Sequence, residues 1–558
     1  MRFLVAAVLA VLLLPAAASA APVPENAVWT QEYFTTKDGV RLHADVLRPK
    51  GLPEGAKTPV VLTVSPYTNH ATQAIIAGGS SATNSYNPRD SGPSGRFYDL
   101  LEGAKLLDRG YSYVMVDLRG FGGSGGCNDW GGPGEQEDVR AAVRHFADKP
   151  WSTGKVALYG KSYDAFTGLM GLVQQPRGLA GVIAMEPVYD GYRYRFSHGV
   201  RFLTSVSNPV LFSAVDAVPG TVNDTPEYQY NSPPRPDCYA ANIALQQIDD
   251  ETDPYWRERE LITRAKGATV PLFLTQGFLE SNTQSQGAFT FFNNVSGPKR
   301  AWFGQFEHDR GNDMVGERLA TGREGWFDEV NRFLDEHLKG EKPKERDPAV
   351  VVQSNDGRYR ADDQWPPADA TPITGDLNAG QYVDDGGGNG SGSAATAGLW
   401  TFSPPLPHRA RLSGTPRVTL DAAPQVPSSN LVVDLYDVDP AGKATIVSRG
   451  ATLVRRSGRI ADLELLGQDW YFQEGHRIGI RITDANDEWY VHAPTRGKVV
   501  VTDASIALPF RRRANERTIQ GETNPRLERW LATRTVQLPA ALVADGERPG
   551  FPVPPAQR

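Results

Sequence analysis

The stretch KVALYGKSYDAFTG, residues 155–168, is the part of the chain from which the rest can be ordered. An apolar run, predicted to be a β-strand, stops at Gly160, presents Ser162 and continues with helical spacing. This is the context of a nucleophile elbow, in which a strained turn exposes a serine hydroxyl. Gly160 is small, as such a turn requires, but Asp164 stands where glycine is usual. Ser162 is therefore a candidate nucleophile, with an ordinary helix N-cap as the alternative. A phosphate-binding loop would need glycine where Lys155 stands.

Two further polar residues follow predicted strands. Glu280 comes after the apolar run 270–277, and His308 after the run 300–303. A carboxylate just past a strand end is where a hydrolase keeps the acid that orients its histidine. The chain order serine, acid, histidine is that of α/β-hydrolases. Among the 9 histidines, those that follow Glu280 but lie on a later helix or in the later β-region are weaker candidates for the base: His337, His408, His476 and His492.

The rival acids Glu307, Asp309 and Asp313 lie too close to His308 in sequence to reach behind its imidazole comfortably. We therefore predict Ser162, Glu280 and His308 as the catalytic residues.

The length and the residue patterns predict several domains. A chain of 558 residues is too long for one core. Strands and helices alternate as in a doubly wound α/β fold, interrupted by a region without that rhythm. A Gly- and Ser-rich stretch separates this part from alternating, all-β sequence. We predict a signal peptide at 1–20, an α/β-hydrolase domain at 21–370 with a cap at about 188–263, a flexible linker at 371–398, a jelly-roll β-sandwich at 399–540 and a Pro-rich tail at 541–558.

The N-terminus and the composition limit the location and the partners. Arg2, the apolar run 3–14 and the small residues 18–20 form a secretory signal, so we expect cleavage after Ala20 and a secreted protein without a membrane span. The net charge of −7 is spread along the chain, which argues against nucleic acid as a partner. From export and the even count we predict that the 2 cysteines, Cys127 and Cys238, form a disulfide, although sequence alone does not show that they meet. We expect no metal and no organic cofactor.

Taken together, the motifs resemble those of the cocaine-esterase-like and Xaa-Pro dipeptidyl-peptidase hydrolases (CocE/NonD, peptidase S15-like). The likeness runs from about residue 31 to 510. It rests on six motifs: Ser65-Pro66-Tyr67, Asp117 to Ser124, Pro150-Trp151-Ser152, Gly160 to Tyr163, Gly277 to Glu280 and Phe303 to His308.

The resemblance implies an α/β-hydrolase with a helical cap and a C-terminal jelly roll. It also implies that Ser162, Glu280 and His308 are nucleophile, acid and base. Tyr67, which the residues alone would suggest is a buried aromatic, would join the Tyr163 N–H in an oxyanion hole. Two departures stand out: Glu280 replaces the usual aspartate, and Gln305-Phe306 replaces a tryptophan-containing stretch.

The sequence thus predicts a secreted serine hydrolase that forms an acyl-enzyme. The Lys161–Asp164 form is closer to the dipeptidyl-peptidases, which act on peptides with free N-termini. The alternatives are a carboxylesterase or amino-acid ester hydrolase/acylase, and a non-catalytic binding protein. Three carboxylates are candidates for holding a substrate ammonium: Asp164, Glu186 and Asp190. Equally, they could be solvated or pair with Arg193 and Arg195, and Asp164 could only brace its turn. The oligomeric state is not predicted.

Overall fold

The computed structural model describes residues 23–70, 92–216, 220, 223–232, 235–387, 397–455, 458–513 and 516–557. The predicted signal peptide, 1–20, lies outside them. The chain forms two compact units. Unit 1 contains the described parts of Met1–Tyr159, Pro176–Ala180 and Val210–Ile243, and unit 2 contains those of Gly160–Gln175, Gly181–Pro209 and Ala244–Arg558. None of the helices in these described ranges has the length and apolar character needed to cross a membrane.

Five strands lie wholly or mostly in the described part of unit 1: β1 Ala27–Thr35, β2 Arg41–Pro49, β3 Thr58–Ser65, β4 Ser112–Asp117 and β5 Ser152–Lys161. Their order in the sheet is β1-β2-β4-β3-β5. The β1–β2 and β2–β4 pairs are antiparallel, whereas β3 pairs in parallel with both β4 and β5. All of β3 is buried, which explains its continuous apolar sequence.

Two helices lie in sequence between the strands of unit 1: α1 Tyr98–Gly103 and α2 Pro133–Ala147. The apolar face of α2 is buried at Val139, Val143 and Phe146. Helix α3, Tyr163–Gln174, follows β5 in the chain and belongs to unit 2.

Unit 2 continues the strand–helix alternation. Its strands of this kind are β6 Leu179–Met185, β9 Leu272–Gly277, β10 Lys299–Gly304, β13 Val350–Gln353, β14 Tyr359–Asp362 and β26 Arg517–Ile519. They are ordered β6-β9-β10-β13-β14-β26. The first four pair in parallel and the last two add antiparallel. Helices α9 Ala288–Asn294 and α10 Trp326–Leu334 lie between these strands in sequence, α10 continuing as a π-helical turn, Asp335–Lys339. This agrees with the predicted α/β fold.

The predicted cap region consists of short elements. They are α4 Gly191–Arg195, β7 Phe196–Ser197, β8 Val200–Arg201, the 3-10 turn Leu203–Ser205, α5 Asn208–Asp216, α6 Pro226–Asn231, α7 Pro236–Leu245 and α8 Pro254–Arg257. Asp190, Thr225 and Asp253 cap α4, α6 and α8 by accepting backbone N–H groups. A second small hairpin, β11 Met314–Val315 with β12 Arg318–Leu319, follows β10.

The C-terminal part of unit 2 contains two antiparallel sheets, as predicted. One has β15 Ala370–Asp376, β16 Gly380–Val383, β18 Ala410–Gly414, β19 Arg417–Pro424, β22 Gly458–Glu464, β23 Gln468–Phe472 and β25 Lys498–Arg511. The other has β17 Leu399–Phe402, β20 Ser428–Val438, β21 Lys443–Arg455, β24 Arg477–Thr483 and β27 Thr535–Gln537. Alternating side chains such as Leu431, Val433, Ile478 and Ile480 belong to the apolar core of this β-sandwich.

The structure changes two predicted boundaries. Residues 371–383 were expected in the linker, but β15 and β16 pair with β25. Of the remaining linker, 388–396 lies outside the described residues. The predicted tail is also partly ordered, because α12, Ala540–Asp545, lies at its start and Phe551 is buried in the core of the β-sandwich. Strand β26 lies in the range predicted for the β-sandwich, but it pairs with β14 in the α/β sheet. Helix α11, Pro525–Thr533, follows it.

Candidate active site

Ser162 occupies a strained turn between β5 and α3. Its backbone has φ +64° and ψ −121°, a conformation that residues with a side chain rarely adopt. Gly160 is required at this turn because a Cβ there would collide with the backbone of Asp164. The Ser162 hydroxyl makes no helix-capping hydrogen bond, so the N-cap alternative is wrong. Glycine is not required at position 164, because Asp164 lies in α3 with an ordinary helical backbone.

His308 follows β10, and its Nδ1 is hydrogen-bonded to Glu280 Oε2. The His308 side chain is 24 % exposed, whereas the Glu280 side chain is 1 % exposed. Among the described residues, no hydrogen bond is found for His308 Nε2. One imidazole nitrogen is therefore held by a carboxylate, and the ring remains accessible from solvent. Ser162 and this pair all lie in unit 2.

The rival acids are committed to other partners. Asp309 pairs with Arg526 at 2.7 Å, and Glu307 pairs with the same guanidinium at 3.2 Å. Asp313 pairs with Arg310 at 2.8 Å. The carboxylate that the structure places on His308 is Glu280, as the chain order predicted.

The turn that carries Glu280 is connected to the loop that carries His308 by backbone hydrogen bonds. Phe278 N donates to Gly304 O at 2.7 Å, and Leu279 N donates to Phe306 O at 3.2 Å. A Cβ on Gly277 would overlap the Phe306 carbonyl, so only glycine allows this close approach. The acid turn and the histidine loop are thus held at a fixed separation.

Two buried carboxyl groups, Glu280 and Glu186, influence each other. Burial alone would raise the pKa of Glu280, but the charge and hydrogen bond of His308 lower it below its usual value. Burial and then the Glu280 carboxylate raise the pKa of Glu186 well above its usual range. We infer that Glu280 is the ionised member of the two, as an acid that orients a histidine must be.

The prediction that Glu186 binds a substrate ammonium is wrong. Its side chain is fully buried at 0 % exposure, and its oxygens accept hydrogen bonds from Gly277 N and Gln276 Nε2. It therefore faces the acid turn and is closed to solvent.

The other two carboxylates proposed for the ammonium are nearly buried. Asp164 is 2 % exposed and Asp190 is 7 % exposed. Asp190 accepts a hydrogen bond from the backbone N–H of Arg193 at 2.9 Å, and Arg193 itself pairs with Glu464. Asp190 also lines a cavity of about 620 Å³ together with Tyr192 and Trp256. Burial raises its pKa to about 6.

Tyr67 and Tyr163 are the residues predicted for the oxyanion hole. Tyr67 lies two residues past β3 in unit 1, buried, with its ring stacked on Phe212 at a centroid distance of 6.0 Å. Tyr163 is the first residue of α3. The N-terminal end of a helix carries partial positive charge, which makes the Tyr163 N–H suited to stabilising an oxyanion.

Cys127 and Cys238 form a disulfide in unit 1, with their Cα atoms 5.5 Å apart. The bond ties the glycine-rich loop after β4 to α7.

Two groups of histidine and aspartate could be considered for a metal. In the described ranges, their ligand atoms lie within 4.8 Å of one another: His43, Asp45 and His70 in unit 1, and Asp384, Asp484 and His492 in unit 2. In the first group both nitrogens of His70 are already bonded, Nδ1 to Asp224 at 2.7 Å and Nε2 to Asp45 at 3.0 Å. In the second, His492 Nε2 is bonded to Asp384. The expectation that no metal is needed stays a prediction.

The sequence does not show what two contributors to the site contact. Glu186 is recognisable as a carboxylate after a strand, but its partner, the acid turn, is not. Arg526, more than 200 positions from His308, pairs with both acids that flank the histidine. No local pattern could have shown this, because its partners are distant in sequence.

Comparison with known proteins agrees with this geometry. The family profile described as X-Pro dipeptidyl-peptidase (S15 family) matches residues 38–310, and that of the X-Pro dipeptidyl-peptidase C-terminal non-catalytic domain matches 343–527. A Streptomyces avermitilis protein provisionally named an Xaa-Pro dipeptidyl-peptidase is 25 % identical over 501 residues, covering 78 % of this chain and 69 % of that protein. A Mycobacterium bovis protein provisionally named a serine esterase is 24 % identical over 590 residues, covering 83 % and 91 %.

Among solved structures, a CocE/NonD family hydrolase from Staphylococcus aureus has a TM-score of 0.66 at 17 % identity, covering 86 % of this chain and 94 % of its own. At that identity the match shows the fold alone, and it confirms the predicted α/β-hydrolase fold. The predicted resemblance is likewise confirmed by the two family profiles, which between them match most of the sequence. The chain therefore belongs to the X-Pro dipeptidyl-peptidase family S15 and is an enzyme of the serine-hydrolase kind.

Proposed function

We propose that this protein is an exported serine peptidase that removes Xaa-Pro dipeptides from peptides with a free N-terminus through an acyl-enzyme. The observation that carries the proposal is the Glu280–His308 pair, set at two strand ends in the same unit as the strained Ser162 turn. A neutral serine is a weak nucleophile, and this arrangement supplies the base and the acid that activate it.

In the proposed reaction, His308 Nε2 takes the proton from Ser162 Oγ as that oxygen bonds to the substrate carbonyl carbon. The same proton then passes to the leaving amine as the C–N bond breaks. Water repeats the sequence on the acyl-enzyme: His308 takes a proton from the water and returns it to Ser162 Oγ as the ester bond breaks. Glu280 holds the Nδ1–H tautomer and stabilises the imidazolium that forms at each step.

Charge develops on the carbonyl oxygen in both steps, and we assign part of its stabilisation to the Tyr163 N–H, while the contribution of the Tyr67 hydroxyl stays a prediction. Donors of this kind each contribute about 3 kcal/mol in related sites. The position of Tyr163 at the start of α3 supports its half of the assignment.

Export is proposed from residues 1–20, which carry the charged start, apolar run and small cleavage residues of a secretory signal. The Cys127–Cys238 disulfide supports it, because such bonds persist in oxidising compartments.

For the substrate ammonium, Asp190 is the remaining candidate with a cavity beside it. The Tyr192 and Trp256 rings that line this cavity could add cation–π attraction to the charge of Asp190. Because asparagine caps helices as well as aspartate does, Asp190→Asn removes the charge while keeping the start of α4.

The test compares Xaa-Pro-anilides having a free N-terminus with their N-acetylated forms. We expect the free substrates to be cleaved far better, and Asp190→Asn to remove that preference mainly through KM. Glu260→Gln, which changes another carboxylate of the same cavity, is the matched control and should keep the preference. Equal kcat/KM for free and acetylated substrates in the unmodified enzyme would contradict the peptidase proposal.

A carboxylesterase is the second candidate. The relative named for serine esterase activity favours it, as does the near-complete burial of all three carboxylates considered for the ammonium. If the enzyme hydrolyses short acyl esters well and ignores the N-terminal charge of peptides, this second function replaces the first.

A further inference from the structure

Two consecutive residues, the last of β6 and the one that follows it, contact both the nucleophile turn and the acid turn. Met185 O accepts the backbone N–H of Ser162 at 2.9 Å. The next residue, Glu186, donates its own N–H to Thr275 O at 3.1 Å, near the end of β9. One short segment therefore connects the backbone of the serine with the strand that leads to Glu280.

The side chain of Glu186 continues this connection. Its carboxyl oxygens lie 3.0 and 3.1 Å from Gly277 N, and one of them lies 2.9 Å from Gln276 Nε2. Gln276 is held in turn by the Tyr189 hydroxyl, which donates to Gln276 Oε1 at 2.9 Å. All of these groups are buried. Gly277, the last residue of β9, is thus hydrogen-bonded to Glu186. Gly277 lies three residues before the catalytic acid Glu280.

The backbone of Glu186 is itself constrained, with φ +48°. A non-glycine residue in this region is strained, and the conformation persists only where the surroundings determine it. The strained backbone directs the carboxyl group back toward Gly277 instead of toward solvent.

We propose that Glu186 is a positioning residue: its carboxyl group fixes the turn that carries Glu280, while the adjoining Met185 carbonyl fixes Ser162, so that nucleophile and acid share one anchor. The inference rests on the proposed function of the triad. It gives Glu186 a role through Glu280 and none in substrate contact.

The charges around Glu186 are consistent with a neutral anchor. Burial disfavours its ionisation most, followed by the Glu280 carboxylate, and Asp309 acts in the same direction, whereas the Gly277 N–H and Lys161 favour ionisation; the net effect is a pKa of Glu186 well above its usual value. A neutral carboxyl group still accepts the Gly277 N–H, which is the contact that the proposal needs. Glutamine offers the same acceptor at the same reach, so Glu186→Gln should replace the native residue, whereas alanine should not.

The experiment measures kcat, KM and the pH profile of kcat/KM for Glu186→Ala and Glu186→Gln with an anilide substrate. We expect Glu186→Ala to lower kcat by about 10- to 100-fold, because displacing a catalytic group from its reactive position slows the reaction by factors of this size. KM should stay within about threefold, and the acid limb of the profile should move because the Glu280–His308 pair is loosened. Glu186→Gln should restore most of the lost kcat and return the acid limb to its native position.

The matched control is Glu329→Gln, another buried glutamate of unit 2, whose carboxylate accepts from Trp302 Nε1 at 3.0 Å and pairs with Arg323. It should lower the melting temperature without moving the acid limb. Native kcat and profile in Glu186→Ala, or an acid limb that stays displaced in Glu186→Gln, would overturn the proposal.

If Glu186→Ala does not fold, Glu186→Asp is the decisive variant. It keeps the acid but withdraws both oxygens from Gly277, and we expect kcat about tenfold lower with the same shift of the acid limb. Native kcat there would overturn the inference. Ser162→Ala, assayed in parallel, separates the two hypotheses: residual turnover in Ser162→Ala contradicts the proposed function itself, whereas an inactive Ser162→Ala beside a fully active Glu186→Ala or Glu186→Asp contradicts the anchor alone.

Discussion

His308 in unit 2 and His70 in unit 1 are both bonded to carboxylates, yet their surroundings make them different chemical groups. His308 has one carboxylate, Glu280, on Nδ1, and its side chain is 24 % exposed. His70 is completely buried between Asp45 and Asp224, with both nitrogens bonded. Burial by itself would lower the pKa of His70, but the two carboxylates raise it well above its usual value.

The difference shows that, when one ring nitrogen of a histidine is bonded to a carboxylate, the role of the histidine depends on what its other ring nitrogen contacts. When that nitrogen is bonded to a second buried carboxylate, the imidazole is a fixed cation that joins chain segments. When it faces an accessible space, the ring can accept and return a proton. The predictions below test this distinction between a base and a structural cation.

The largest effect is expected at the base. His308→Ala and Ser162→Ala should each lower kcat by on the order of 10⁴-fold or more, because nucleophile and base act as one unit. Both variants should melt within a few degrees of the native protein. Fluorophosphonate labelling is the independent readout, and covalent labelling of Ser162→Ala at the native rate would contradict the assignment.

Removing the acid should lower kcat slightly less than removing the base or the nucleophile. Glu280→Gln should lower kcat by about 10⁴-fold, since the amide favours the wrong imidazole tautomer. Asp309→Asn and Asp313→Asn are the matched controls, because these acids pair with Arg526 and Arg310. If either control loses activity to this extent while Glu280→Gln retains it, the acid has been misassigned.

The structural cation should affect stability. His70→Ala leaves Asp45 and Asp224 buried without their common partner, which should cost about 3 to 5 kcal/mol. His145→Ala is the control: its imidazole, partly exposed, pairs with Glu32 at 3.0 Å, and its removal should cost less than about 1 kcal/mol. Urea unfolding of the three proteins measures both values.

The same pair gives a pH dependence with a defined sign. The raised pKa of His70 means that its contribution is complete below the unfolded value of about 6.5 and is lost as pH rises through the raised pKa. Burial would raise the pKa of Asp45, but His70 lowers it, so its contribution is present above about 3.9 and is lost as pH falls. The stability difference between native protein and His70→Ala should therefore be largest between about pH 4 and 6.5. A difference that grows steadily above pH 8 would contradict the cationic state.

The last prediction concerns the disulfide that ties the same part of unit 1. Asp224 and Cys238 both belong to the segment 210–243, and Cys127 closes a loop with a sequence separation of 111. Reduction should lower stability by about 2 to 5 kcal/mol, the usual range for such a loop. Thiol titration of the denatured, unreduced protein should find no free sulfhydryl, and two free groups would refute the bond.

Much of the fold could be predicted because its signals are local. The continuous apolar run 179–185 predicts a strand with the bounds that the structure has, and the helical spacing of apolar residues over 135–146 predicts the helix found at Pro133–Ala147. The elbow at Ser162 and the carboxylate after β9 were also readable, since each follows an apolar strand of ordinary length. Chain order then selected Glu280 and His308 together.

What the sequence could not show depends on contacts between distant segments. Nothing near Glu186 indicates whether its carboxyl group faces solvent or Gly277, because a strand end offers both directions. Residues 371–383 lie beside a Gly-rich stretch and were assigned to the linker, but pairing with β25 places them in a sheet. Strand pairing of this kind overrides a weak local preference.

The return of the chain from the β-sandwich to the α/β sheet has a consequence for how this family can diversify. After β25, the strand β26 pairs with β14, and Asn524 Nδ2 then donates to Gln305 O at 3.1 Å, and Arg526 reaches Asp309. The C-terminal part therefore cannot be exchanged as an independent domain, because Asn524 and Arg526 contact the loop that carries the catalytic histidine. In a chimera with its junction between 343 and 527, the residues that contact the histidine loop would come from the other parent. Exchanges that keep activity should therefore either end before the chain returns from the β-sandwich to the α/β sheet or include the histidine loop.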